Sequence, residues 1–260
     1  MNRSLLWQRI RRIWVTLGIG LTVVFVGWSR IAYRASETAR EALRGDTRVG
    51  VDRGGSLIRF TPAGAPSATV GLLFFPGALV DPVAYAPLAH AAAEAGFPAV
   101  IVTLPRRGAF GGAEAPGLYA RADSILRDAA GPREWVVAGH SRGAVVASTL
   151  AARRPEGLAG LLLVGTSHPR DVDLSFLDVP VTKVAAGRDG LASRAEVEAN
   201  AHLLPPTTRW IWLDGGNHSQ FAWYGFQPGD RRADLPRAAQ QRATVDAMLA
   251  VLREVAARPD

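Results

Sequence analysis

Trp135-Val136-Val137-Ala138-Gly139-His140-Ser141-Arg142-Gly143, followed by a helix-compatible run from Ala144 to Ala152, is the stretch on which the reading of the fold turns. A short apolar run of strand character stops at a G-x-S-x-G pentapeptide and passes directly into a helical pattern. With 27 glycines and 12 serines in 260 residues, the pentapeptide alone would arise by chance in about one such chain in eight. Its context carries the weight. A strand that ends, turns sharply and enters a helix lifts a serine hydroxyl out at the carboxyl edge of a sheet, with the positive end of the helix behind it. Gly139 and Gly143 flank the turn because a Cβ at either position would collide with the neighbouring strand or helix.

Working outward, apolar runs of strand length recur at Leu57 to Phe60, Val70 to Phe75, Ala99 to Leu104, Leu161 to Val164, Val181 to Ala185 and Trp210 to Leu213. Helical stretches separate them at Tyr85 to Ala95, Tyr119 to Ala129, Arg194 to Leu203 and Arg237 to Val255. Strands without polar alternation, interleaved with amphipathic helices, predict an α/β fold with a mainly parallel sheet covered on both faces. In such sheets the reactive loops gather beyond the carboxyl ends of the strands.

The net charge of +7 is unevenly spread. Residues 1–48 carry nine arginines against three acids, leaving 21 basic and 20 acidic side chains in the remaining 212 residues. A domain so near neutrality has no electrostatic footprint for nucleic acid. The absence of cysteine excludes disulfides, thiolate zinc sites and a cysteine nucleophile. Five scattered histidines give no metal-binding spacing.

Ile13 to Trp28 is a sixteen-residue run without charge, extended by Ile31, Ala32 and Tyr33 past Arg30. It predicts a transmembrane helix, with Arg30 snorkelling to the headgroups and Trp14, Trp28 and Tyr33 at belt positions. A cleaved signal peptide shares the charged start and apolar middle, but no small-x-small site follows the run cleanly. Arg3, Arg9, Arg11 and Arg12 crowd the leader and favour that end in the cytoplasm, placing the domain on the extracytoplasmic side; Arg30, Arg34, Arg40 and Arg44 pull the other way. The expected division is a membrane anchor over 1–33, a linker over 34–54 in which residues 34 to 50 look like a short polar helix and linker, and an α/β domain over 55–260, the domain proper starting near Val51.

A serine hydroxyl needs a base, and the base needs an orienting group. His218 follows the strand-like Trp210-Ile211-Trp212-Leu213 in the loop Asp214-Gly215-Gly216-Asn217-His218 and is the expected base. His140 points the wrong way along the turn, His90 and His202 fall in helices, and His168 could line the site. Asp189, in Ala186-Gly187-Arg188-Asp189-Gly190, is the expected acid, with Asp171 and Asp173 as alternatives and Asp214 as a turn residue. A developing oxyanion needs two backbone donors. Arg142 supplies one, and Ala78, in Phe74-Phe75-Pro76-Gly77-Ala78, the other. The Arg142 side chain would either bind an anionic part of a substrate or form a surface salt bridge. Arg106-Arg107-Gly108 and Gly111-Gly112 could shape a substrate rim. Asn217-His218-Ser219 is formally a glycosylation sequon, but a sugar there would obstruct the loop.

Gly139-His140-Ser141-Arg142-Gly143, then Ala186-Gly187-Arg188-Asp189-Gly190, then Gly216-Asn217-His218, in that order, resemble the α/β-hydrolase superfamily over roughly residues 55 to 255. More narrowly they resemble compact hydrolases near the dienelactone hydrolases, in a branch with Phe75-Pro76-Gly77-Ala78 at the oxyanion loop and Phe221 and Tyr224-Gly225 after Asn217-His218. The chain departs from dienelactone hydrolases proper in having Ser141 where they use cysteine. The resemblance implies an α/β-hydrolase fold with Ser141 as nucleophile, His218 as base, Asp189 as acid and the Ala78 and Arg142 amides as oxyanion hole. It implies an esterase-like serine hydrolase acting on a small acyl or ester substrate through an acyl-enzyme, with no metal or organic cofactor. An acyltransferase with the same residues, or an inactive binding protein on the same fold, are the alternatives. The short segment Gly165 to Pro180, where such enzymes insert a cap, predicts a minimal cap and a fairly open site.

Overall fold

The computed structural model describes residues 3–64 and 69–258. Eight strands form one sheet: β1 (Val49–Gly54), β2 (Leu57–Pro62), β3 (Val70–Phe75), β4 (Ala99–Val102), β5 (Glu134–His140), β6 (Leu158–Val164), β7 (Val181–Ala186) and β8 (Arg209–Leu213). Their spatial order is β1-β2-β4-β3-β5-β6-β7-β8. Pairings from β4 through β3 to β8 are all parallel, while β1 with β2 and β2 with β4 are antiparallel. The central strands are buried along their whole length, which is why β3 and β4 read as continuous apolar runs, while β7 buries Thr182 and Lys183 among its apolar residues.

Alternate residues of one strand feed two separate cores. Leu72 and Phe74 of β3 face α3 (Ala86–Glu94) and α7 (Arg237–Ala256), where Leu88, Met248 and Leu252 meet them. Leu73 and Phe75 face the layer of α4 (Pro116–Leu126) and α5 (Arg142–Ala152), with Leu118 and Leu150. Each fully buried leucine of this kind contributes about 1.5–3 kcal/mol. A small third cluster joins Ala185, Ala192 and Val197 of α6 (Arg194–Ala199). No helix or strand lies between Gly165 and Pro180.

The segment 34–54 holds the short polar helix read in the sequence, but its end is a strand where the sequence suggested linker. It contains α2 (Glu37–Glu41) and the edge strand β1, whose six residues pair with β2 and begin at the buried Val49. An antiparallel edge strand buries one face only, so VGVDRG lacks the apolar run that betrays a central strand.

α1 (Arg3–Ala32) carries a candidate membrane span, Trp7–Ala32, with mean hydropathy 1.6. Two of its hydroxyls bond within the helix, Thr22 to the Gly18 carbonyl and Ser29 to that of Val26. Past its end, Tyr33 packs edge-on against Trp28 and Tyr224, and its carbonyl accepts from Asp81 N at 3.0 Å. Ser36 N donates to the Trp223 carbonyl at 2.8 Å. The helix thus ends on two loops at one edge of the sheet.

Strand order sets where a site can form. The chain runs outward from β3 to β4 and returns to place β5 on the other flank of β3, so the crevice beyond the carboxyl ends of β3 and β5 is free of crossing connections. α5 leaves that crevice at very close quarters. A Cβ on Gly143 would stand 1.9 Å from the Phe75 carbonyl oxygen, and one on Gly139 would lie 2.3 Å from the Gly143 carbonyl carbon. Gly143→Ala should therefore cost more than about 3 kcal/mol in denaturant unfolding. Gly50→Ala, whose Cβ would meet nothing nearer than 3.8 Å, should stay within about 0.5 kcal/mol.

Candidate active site

Ser141 sits between β5 and α5 at φ 53° and ψ −119°. That backbone conformation costs a non-glycine residue about 1–3 kcal/mol and persists only when its surroundings enforce it. Here Ser141 N donates to the Val164 carbonyl at 3.0 Å, while its own carbonyl accepts from Ala144 N at 3.0 Å. The residue lines a cavity of about 290 Å³ together with Ala78, Arg142, His168, Arg170 and His218.

His218 and Asp189 come from loops after β8 and β7. Nδ1 of His218 lies 2.9 Å from Asp189 Oδ2, with the two side chains 2% and 1% exposed. The other carboxylate oxygen accepts from Leu191 N at 2.8 Å and Ala192 N at 2.7 Å. Those bonds fix the carboxylate plane, and with an ionised acid the Nδ1 position carries the imidazole proton. Nε2 of His218 is buried without a protein hydrogen-bond partner.

Two residues that the sequence did not single out hold this loop. Asp230 Oδ1 accepts from Gly190 N at 3.1 Å and His218 N at 3.2 Å, while Oδ2 accepts from Ser219 N at 2.8 Å and its hydroxyl at 2.7 Å. One carboxylate therefore ties the Asp189 loop to the His218 loop. Gln240 on α7 makes a reciprocal amide pair with Asn217, accepting from its N–H at 3.1 Å and donating to its carbonyl at 2.6 Å. The sequon residues Asn217 and Ser219 are thereby buried and occupied.

The loop after β3 is set by a third such residue, Tyr85. Its hydroxyl accepts from Gly77 N at 2.9 Å and lies 2.7 Å from His140 Nδ1. The amides of Ala78 and Arg142 find no acceptor among the described residues. Burial pushes the Tyr85 phenol well above its usual value. His140, whose ring stacks 4.6 Å from that of His218, is held well below its usual value by burial and by that neighbour. A neutral His140 adds no charge beside His218.

Other residues considered from sequence take structural places. Arg142 forms an ion pair with Glu114. Asp173 caps the turn at Ser175, and Asp214, exposed, pairs with Arg194. His202 bonds the Ala199 carbonyl and His90 lies 3.8 Å from Asp46. Among the described residues no three His, Asp or Glu side chains cluster as a metal site would require.

A sheet of this order, with a strained serine after β5 and a buried His–Asp pair from the loops after β7 and β8, defines the α/β-hydrolase class. Residues 71–242 match the family profile described as the alpha/beta hydrolase family, and the chain belongs to that family. No curated protein matches the sequence. Among solved structures, a Thermus thermophilus protein aligns with TM-score 0.60 and 18% identity over 82% of this chain and all of that one. An M. tuberculosis esterase aligns at 0.54 and 17% over 84% and 96%. A bacterial membrane phospholipase A aligns at 0.53 and 13% over 99% and 100%. At these identities the likeness is one of fold.

Lys183 on β7 is buried, and its ammonium donates to the His168 carbonyl behind the cavity wall. Burial without a carboxylate partner pushes its pKa down to about 7 from the ordinary 10.5. Between those values the unfolded chain binds more proton than the folded chain, so stability rises with pH and the penalty is complete below the folded value. The advantage of Lys183→Met over wild type in unfolding free energy should shrink by about 1.4 kcal/mol per pH unit from about pH 7.5 to 9.5. A difference independent of pH would show that Lys183 is not desolvated.

Proposed function

We propose that the chain is an esterase-like serine hydrolase in which Ser141 is the nucleophile, His218 the general base, Asp189 the orienting acid and the Ala78 and Arg142 amides the oxyanion hole. The observation that carries the reading is the buried His218–Asp189 bond of 2.9 Å at the wall of the cavity that Ser141 also lines. His218 Nε2 takes the Ser141 proton as Oγ bonds the acyl carbon, and the oxyanion is met by the two free amides. Collapse breaks the ester bond, and the imidazolium returns its proton to the leaving alcohol. Water then repeats the sequence, with His218 again as base, and releases the acid. Every proton moves within this set of residues, so the reaction calls for no cofactor.

A cavity of about 290 Å³ at a sheet edge without a cap domain suits a short acyl chain. The narrower likeness to the dienelactone hydrolase branch rests on the Phe75-Pro76-Gly77-Ala78 and Asn217-His218 motifs. In this reading residues 1–33 anchor the enzyme in a membrane, the hydrolase domain of 55–260 lies on the extracytoplasmic side, and 34–54 joins the two while contributing β1.

Intact-mass analysis of the full chain in detergent with a fluorophosphonate tests the chemistry. Wild type should take a single adduct, Ser141→Ala and His218→Ala none, and Asp189→Asn should react about 10⁴-fold more slowly. A folded wild type that takes no adduct would overturn the assignment.

A further inference from the structure

A second cavity among the described residues is larger than the one beside Ser141. About 880 Å³ in volume, it is lined by Arg34, Arg40, Arg44, Arg53 and Arg107 against the single carboxylate of Asp81. Only two of the five guanidiniums are engaged: Arg40 with Glu37 at 2.7 Å, and Arg107 with Asp81 at 4.0 Å and the Leu79 carbonyl at 3.4 Å. Arg34, Arg44 and Arg53 form no ion pair among the described residues. Arg107, on the inner wall, has its pKa lowered by burial and by the repulsion of Arg30, partly offset by Asp81. An unfilled concavity with this charge excess is complementary to a compact multivalent anion, and guanidinium groups match phosphate oxygens in pairs.

Position identifies the source of that anion. Arg34 is two residues beyond Ala32, the last residue of the candidate span, and Tyr33 fixes the helix end to Asp81 and Tyr224. A helix leaving a bilayer there puts the cavity mouth at the depth of the lipid phosphates, next to the exposed Trp28, whereas Tyr33, read in the sequence as a belt residue, is buried against Tyr224. The remaining wall offers the apolar side chains of Leu43, Leu57, Ile58 and Val83 beside Thr103, and a glycerol backbone and the first acyl carbons would lie against them. A choline headgroup would bring a cation against the arginines; a headgroup of net negative charge would not.

We propose that this cavity binds the phosphate-bearing headgroup of an anionic phospholipid of the membrane that α1 crosses. The site is separate from the Ser141 chemistry and depends only on the membrane reading of α1. Its inner wall nevertheless reaches the proposed oxyanion loop: Leu79 N donates to the Arg107 carbonyl at 2.7 Å, two residues from Asp81 in the lining and one from Ala78 beside Ser141.

The test is native mass spectrometry of the full chain released from nanodiscs of equimolar phosphatidylglycerol and phosphatidylcholine. Wild type should retain phosphatidylglycerol preferentially, and Arg34→Gln/Arg44→Gln/Arg53→Gln should lose that preference by about tenfold or more. Arg121→Gln/Arg127→Gln/Arg133→Gln, which removes equal charge from another exposed face, should keep it. Equal retention of both lipids by wild type, or equal loss in both variants, would overturn the proposal. Inorganic phosphate adducts on delipidated wild type, absent from the first variant and without any lipid preference, would assign the cavity to a soluble phosphate and overturn the lipid source. Incorporation into the discs, scored separately by co-elution with scaffold protein, reports on the membrane reading itself, and the fluorophosphonate adduct of each variant reports on Ser141.

Discussion

The contact between the start of α5 and the end of β3 governs the geometry of the site. Because residue 143 has no side chain, the first turn of the helix lies against the Phe75 carbonyl, where a Cβ would come within 1.9 Å. That approach does two things at once. It forces the backbone at Ser141 through a positive φ, and it brings the loop Pro76-Gly77-Ala78 beside the first free amide of the helix. Two amides without acceptors and one strained serine thus owe their proximity to a single steric fact. The strain is offset by hydrogen bonds from Ser141 to β6 and α5 and by the apolar packing of α5 beneath it.

A second layer of polar residues does for the histidine loop what packing does for the serine. His218 and Asp189 come from loops with no regular structure of their own. Asp230 spends four hydrogen bonds on holding those loops to one another, and Gln240 on α7 fixes the peptide next to His218. Tyr85 plays the corresponding part for Gly77 and His140. Such groups are costly to bury unless all their partners are in place, and here the partners are the loops that carry the proposed chemistry.

The carboxyl end of α1, the candidate membrane span, is joined to the same loops. Tyr33 and Ser36, just past α1, bond to Asp81 and Trp223, which flank the oxyanion loop and the His218 loop respectively. The basic cavity opens between this junction and β1. The end of α1, a candidate anion site and a candidate active site therefore share one edge of the sheet, so a displacement of α1 has a short mechanical route to Ala78.

Much of this was legible in the amino-acid order. Strands buried on both faces are mostly apolar, so β3 to β6, and β7 despite its buried Thr182 and Lys183, stand out as runs, and the residues that follow them in sequence lie at the carboxyl edge. That local rule picked out Ser141, Asp189 and His218, and the charge-free run near the N-terminus picked out α1. It failed for β1, because an edge strand with one wet face carries no such run. It could not find Asp230, Tyr85 or Gln240, because the atoms they bond, such as His140 at 55 residues from Tyr85, are neighbours only after the sheet has closed. The arginines of residues 34 to 53 appear in the sequence as a charge surplus. Only the tertiary structure gathers them with Arg107 around one cavity, since the distance between charges in space is set by strand order and helix packing and not by their separation along the chain.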